Sequence, residues 1–148
     1  MKRLDDDYIG PKGDLAKSVL IDYYGLKGID YIFEIDPVAK PRMTQKDKWA
    51  GRPCVLKYWA FKEEMLIKAS QAGFDLPDQF LVTFNMPFFE SYTLEQKERL
   101  RGRPHRMKPD LDNMMKSVLD IFNVRDQSVW SYWPRKFWAD KGSIVITI

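Results

Sequence analysis

Two apolar runs that end at proline lie on either side of a long segment with helical spacing. That order restricts the fold more than any other feature of the chain. Residues 31–35 (Tyr-Ile-Phe-Glu-Ile) read as a strand closed by Asp36-Pro37, and residues 80–86 read as a second strand closed by Pro87. Between them, over residues 55–72, Leu56, Trp59, Phe61 or Lys62, Met65, Leu66 and Ala69 fall near i, i+3, i+4 positions, and Gly73 is the stop signal. Asp14 predicts the N-cap of a short helix ending near Gly25, with Leu15, Val19 and Tyr23 on one face. Thr93 and Gln96 form a capping-box pair for a polar helix over residues 94–100. A third helix is expected over residues 111–122. Strands are expected over residues 128–132 and 143–148, joined through residues 133–138 and the turn Asp140-Lys141-Gly142. Strands and helices mix without strict alternation, which predicts an α+β fold with one sheet covered by helices.

A chain of 148 residues is expected to form one domain. Residues 1–28 read as an N-terminal arm punctuated by Gly10, Pro11 and Gly13, and residues 29–148 as the folded domain. The single cysteine, Cys54, excludes an internal disulfide and any multi-cysteine zinc site, and fits a reducing cytoplasm. No apolar run approaches a membrane span, and the start of the chain lacks the apolar stretch of a secretion signal. The net charge of +3 is too small to identify a partner, so the distribution of charge matters more than the sum.

That distribution centres on His105-Arg106-Met107-Lys108-Pro109-Asp110-Leu111-Asp112-Asn113-Met114-Met115-Lys116. Two carboxylates this close repel each other, and a divalent cation offsets the repulsion. Inside a helix, residues two apart point roughly 200° away from each other. Asp110 and Asp112 therefore converge only if Asp110 is the N-cap and Asp112 lies in the first turn. Pro109 supports that placement by disfavouring helix at Lys108. Lys116 falls one turn after Asp112 on the same edge, while Leu111, Met115, Val118 and Phe122 form the core stripe. A third acid would complete a site, and Asp120, Asp126 and Asp140 are the candidates. Oxygen ligands and the absence of a His/Cys cluster favour Mg²⁺, with Mn²⁺ as the substitute ion.

Lys97, Arg99, Arg101, Arg103, Arg106 and Lys108 surround this segment with positive charge opposed only by Glu98. Lys40, Arg42, Lys46 and Lys48 make a second basic loop. Either loop alone reads as a solvated surface; both beside a carboxylate cluster point to a DNA backbone. His105, the one histidine, has no evident partner for general-base work and is assigned to DNA contact or loop stabilisation. Competing readings are a nucleic-acid-binding protein without catalysis, using the same basic loops, and a metal-dependent phosphotransfer enzyme acting on small molecules. An Asp-x-Asp nucleophile of the latter kind ordinarily follows a buried apolar strand, whereas residues 105–109 are polar and basic.

Lys108-Pro109-Asp110-Leu111-Asp112-Asn113 with Met114-Met115-Lys116, then Val118-Leu119-Asp120 and Asp126-Gln127-Ser128-Val129, resembles the RusA family of Holliday junction resolvases. The loop Lys40-Pro41-Arg42-Met43-Thr44, with Asp47-Lys48-Trp49 and Arg52-Pro53-Cys54, resembles the early loop of phage members. Lys136 resembles their late lysine and joins the expected DNA contacts. The resemblance covers about residues 30–148. It implies a homodimer with a mixed sheet and helices on one face, encoded by a phage or prophage and working in the host cytoplasm. It also implies Mg²⁺-dependent paired cuts in a four-way DNA junction. The catalytic acids would be Asp110, Asp112 and Asp126, with Lys116 as the essential lysine. The chain departs from the family at Arg125-Asp126, where two adjacent acids are common, and in a short connection from Asn123 to Asp126.

Overall fold

Phe80, Val82, Phe84 and Met86 point to one side of a single strand, and Leu81, Thr83 and Asn85 to the other; all seven are buried. A strand closed off on both faces belongs in the middle of a sheet. In the computed structural model, which describes residues 11, 13–42, 51–122 and 128–148, it does so. The elements in chain order are α1 (Leu15–Tyr24), β1 (Asp30–Phe33), α2 (Pro53–Ala72), β2 (Gln79–Pro87), α3 (Leu94–Leu100), α4 (Leu111–Ile121), β3 (Ser131–Ala139) and β4 (Ser143–Thr147). The sheet order is β1-β4-β2-β3. β4 runs antiparallel to β1 and β2, and β3 runs parallel to β2. This is the α+β architecture with a mixed sheet that the sequence predicts.

Register places Phe33, Phe84, Val82, Ile144 and Ile146 on one face. There they pack with Tyr58, Phe61, Met65 and Ala69 of α2 and with Met114, Met115, Val118 and Ile121 of α4. The α2 stripe is rotated from the expected one. Val55, Tyr58, Phe61, Met65 and Ala69 are buried, whereas Leu56, Trp59 and Leu66 are exposed. Apolar residues occur on more than one side of α2, so spacing alone did not fix which side turns inward. The α4 stripe is broader than expected, with Met114, Ser117 and Ile121 buried and Leu111 and Phe122 partly so.

The opposite face meets α1 through charge. Asp14 caps α1 by accepting from the Lys17 N–H at 3.1 Å and also takes both guanidinium N–H₂ groups of Arg135, at 2.8 and 2.6 Å. Lys17 Nζ reaches Asp30 at 2.9 Å. No residue of α1 is buried, and Leu15, Val19 and Tyr23 share a face that is open to solvent. Burial pushes the Asp14 carboxyl up, but the hydrogen bonds and charges of Arg135 and Lys17 outweigh it and hold the acid below its usual range.

β3 covers residues 131–139, displacing the expected strand at 128–132 and absorbing the segment read as a connection. Pro134 lies inside it, opposite Val82. Main-chain groups alternate sides along a strand, and those of Lys136 and Trp138 pair outward with residues 102–105. Pro134 has the same parity, so its missing N–H faces the outer edge and not β2. No helix among the described residues is long and apolar enough to cross a membrane.

β3 and β4 are joined by three residues although β2 lies between them. The linker must therefore span two strand spacings, roughly 10 Å. Gly142 makes this passage directly against Asp36, and a Cβ there would sit 2.7 Å from the Asp36 Cα. Gly142→Ala is expected to destabilise the protein by about 1–3 kcal/mol. The loss would be read as a lower urea midpoint with an unchanged m-value, and an unchanged midpoint would refute the close approach.

Candidate nucleic-acid and metal site

The segment before α4 is built on the sheet's edge. Gly102 donates its N–H to the Trp138 carbonyl at 2.9 Å, Trp138 donates to the Arg103 carbonyl at 3.0 Å, and His105 donates to the Lys136 carbonyl at 3.0 Å. Residues 102–105 thus extend the sheet beyond β3, with Pro104 bridged to Phe137. The chain then turns through residues 106–109 into α4. Arg103, Arg106 and Lys108 are exposed along this path.

Asp110 is the N-cap of α4, with extended backbone (φ −65°, ψ 141°), and Asp112 lies in the first turn. This is the placement predicted from the spacing. The Asp110 side chain makes no capping hydrogen bond, in contrast to the caps Asp14 of α1 and Thr93 of α3. Both Asp110 and Asp112 are exposed. Lys116 pairs with Asp112 at 3.9 Å with both side chains mostly in solvent, so the pair contributes about 0.3–0.5 kcal/mol and leaves the ammonium mobile.

The other acids have partners. Asp120 accepts from the Tyr58 hydroxyl, from Lys40 Nζ at 3.2 Å, and lies 3.5 Å from Lys62 Nζ. Burial raises its pKa, but Tyr58, Lys40 and Lys62 outweigh that and lower it overall. Asp140 takes a bidentate bond from Arg101, at 2.7 and 2.9 Å. Two of the three candidates for a third ligand are therefore already engaged by protein cations. Asp126, Lys46 and Lys48 lie outside the described residues. Among the described residues no group of three or more His, Cys, Asp or Glu side chains gathers as metal ligands. Asp110 and Asp112 are the two of the expected three that fall among them, and their exposed hard oxygens suit Mg²⁺.

The expected DNA contacts divide in two. Arg42, Arg103, Arg106 and Lys108 are exposed. Lys40 is fastened to α4 twice, by its ammonium on Asp120 and by its N–H on the Asn113 carbonyl at 3.1 Å. Arg101 is taken up by Asp140 and lies over the Phe88 ring. Lys136 turns inward, and its Nζ donates to the carbonyls of Met107 and Pro109 at 2.7 Å each. Burial lowers the Lys136 pKa, an effect opposed by the charge of Asp110.

His105, expected to contact DNA or to stabilise the loop, is packed into the fold. The ring is 5% exposed and packs on Trp138 with centroids 4.3 Å apart. Burial, with the Lys136 charge beside it, lowers its pKa to about 4, so it is neutral and not a cation for phosphate. Sequence reasoning also missed Tyr58 and Lys62 as partners of Asp120. The sequence separation of 62 between Tyr58 and Asp120 leaves no local signal of the contact.

Comparison with known proteins adds one finding. The family model described as Endodeoxyribonuclease RusA matches residues 34–148. No curated protein matches the chain.

His105 also makes acid stability testable. Its folded pKa lies below the ordinary 6.5, so the fold favours the neutral ring. That contribution is complete above pH 6.5 and is lost as pH falls towards 4; it amounts to at most about 3 kcal/mol. Asp14 and Asp120 lose theirs only below the usual carboxylate value of 3.8. His105→Phe is expected to flatten the dependence of unfolding free energy on pH between 6.5 and 4. An unchanged slope in denaturant titrations would contradict this account.

Proposed function

The chain belongs to the RusA endodeoxyribonuclease family, and from that premise we propose that it is a Mg²⁺-dependent endonuclease that resolves four-way DNA junctions by paired phosphodiester hydrolysis. The observation that carries this reading is the start of α4. An aspartate stands at the N-cap without capping, a second follows in the first turn, and exposed Arg103, Arg106 and Lys108 lead into them. An uncapped Asp forgoes about 1 kcal/mol of helix stabilisation, which is accounted for if its oxygens serve another ligand.

Asp110, Asp112 and Asp126 would hold the ion. Mg²⁺ there would supply polarisation of the scissile phosphate and a more acidic water. Arg103, Arg106 and Lys108 bind the phosphate backbone and fix its register relative to the acids. Lys116, weakly paired and exposed, swings from Asp112 to the non-bridging phosphate oxygens as negative charge builds on them. The helix start favours the same anionic groups through its unpaired N–H donors. Symmetric cuts in a two-fold junction call for a C₂ dimer.

Asp110→Asn and Asp112→Asn should each reduce cleavage of a synthetic junction in Mg²⁺ by at least about 100-fold. Junction binding should persist, and stability should change by no more than about 0.5 kcal/mol, as for other exposed sites. Binding without Mg²⁺-dependent cleavage by the unmutated protein would favour a non-catalytic junction binder. Wild-type cleavage by either variant would remove that acid from the site.

Replacing Arg103, Arg106 or Lys108 by Ala should lower the slope of log affinity against log salt by about 0.9 each. Arg101→Ala should instead lower stability with the slope retained, because its guanidinium is bonded to Asp140.

A further inference from the structure

Lys136 stands opposite Phe84 in the β2–β3 ladder. It holds both ends of a short span. Its main-chain carbonyl accepts the His105 N–H at 3.0 Å, and its ammonium donates to the carbonyls of Met107 and Pro109 at 2.7 Å each. An ammonium offers three donors, and two of them are committed to backbone oxygens at the short end of the range for a charged donor. Pro109 is the residue immediately before Asp110. The Asp110 carboxylate is not fixed by a cap bond of its own, so its location depends on the backbone that delivers it.

We propose that Lys136 is a positioning residue, which anchors the 107–109 turn to β3 so that Asp110 enters α4 at a fixed place beside Asp112, and that it does not contact DNA. The inference rests on the reading of Asp110 as a metal ligand given above. The anchor is a side chain on a strand paired with β2 along its whole length, and the group it places is one residue from the bonded carbonyl. A displacement of about 1 Å at such a site costs about 100-fold in rate.

Acetylation of the unmutated protein by an amine-reactive ester, read by mass spectrometry, tests the geometry without any variant. Without DNA, Lys136 should label several-fold more slowly than the exposed Lys108 and Lys141. Labelling as fast as these, with protection only when a junction is added, would overturn the proposal. Lys136→Met should weaken Mn²⁺ binding, followed by electron paramagnetic resonance, by about 10–100-fold. Junction affinity and its salt slope, measured without Mg²⁺, should be retained. Lys136→Arg should recover most of the Mn²⁺ affinity, since a planar fork can serve two carbonyls. Unchanged Mn²⁺ affinity in Lys136→Met, with the salt slope reduced by about one, would make Lys136 a phosphate contact and reject the proposal. Asp110→Asn run in parallel separates the two claims. If it binds Mn²⁺ like the wild type, the metal reading itself fails. If it loses Mn²⁺ while Lys136→Met does not, only the positioning role fails.

Discussion

A parallel pair of strands cannot be closed by a hairpin, because the chain must return to its starting end before the second strand begins. The β2–β3 ladder, nine residues long from Gln79–Ser131 to Pro87–Ala139, imposes that return on everything between Pro87 and Ser131. The crossover contains α3, the basic segment and α4, and so it contains every described acid assigned to the site. Its packing against the sheet determines where Asp110 and Asp112 stand. α4 contributes Met114, Met115, Val118 and Ile121 to the core, while residues 102–105 are hydrogen-bonded along the outer edge of β3. The carboxylates lie between two attachments to the same sheet.

Charge in this protein works inward as much as outward. Arg101 binds Asp140 and so ties the end of α3 to the β3–β4 linker; Arg135 binds Asp14 and ties α1 to the sheet; Lys40 binds Asp120 and ties the early loop to α4. All three pairs are partly shielded from water. Truncating one partner therefore leaves a charge with reduced solvation, which costs more than losing an exposed pair. A count of basic residues along the chain overstates the DNA-facing charge for this reason. His105 makes the same point in neutral form, since it lies among cations in sequence yet is packed as an uncharged ring on Trp138.

What the sequence disclosed was local. Thr93 and Gln96 bond each other's backbone as a capping box, Asp14 caps α1, and Gly25 and Gly73 end their helices in the left-handed conformation. Each depends on residues within one turn, so the signal is present in the order of the chain. Placing Asp110 before α4 and Asp112 in its first turn was legible for the same reason. The rotation of α2 was not. Leu56, Trp59 and Leu66 are as apolar as the buried set, and the side turned inward is the one carrying Tyr58, whose hydroxyl meets Asp120 from a distant part of the chain. The extent of β3 was hidden by Pro134 and by Arg135 and Lys136, which read as loop until the outer edge and the two partners are known. Lys136 was legible as the late lysine of the family resemblance but not as an inward one, because Met107 and Pro109 lie 29 and 27 residues earlier.

The contrast between the N-cap of α4 and those of α1 and α3 carries the last step. α1 and α3 bury no residue, and each has a side-chain cap to satisfy a first-turn donor. α4 buries five residues and has no such bond at Asp110. A helix with little tertiary packing depends on local bonds for its start, whereas a buried amphipathic helix is held by its apolar face. The core contacts of α4 therefore release Asp110 from a structural duty that its position would otherwise assign to it. The turn before it still needs fixing, and Lys136 supplies that from the sheet through hydrogen bonds to backbone oxygens. Anchoring through Pro109 and not through the carboxylate leaves both Asp110 oxygens available while still holding the residue in place. Stability of the helix and availability of the acid are thus provided by different groups, and a substitution at one can be read without disturbing the other.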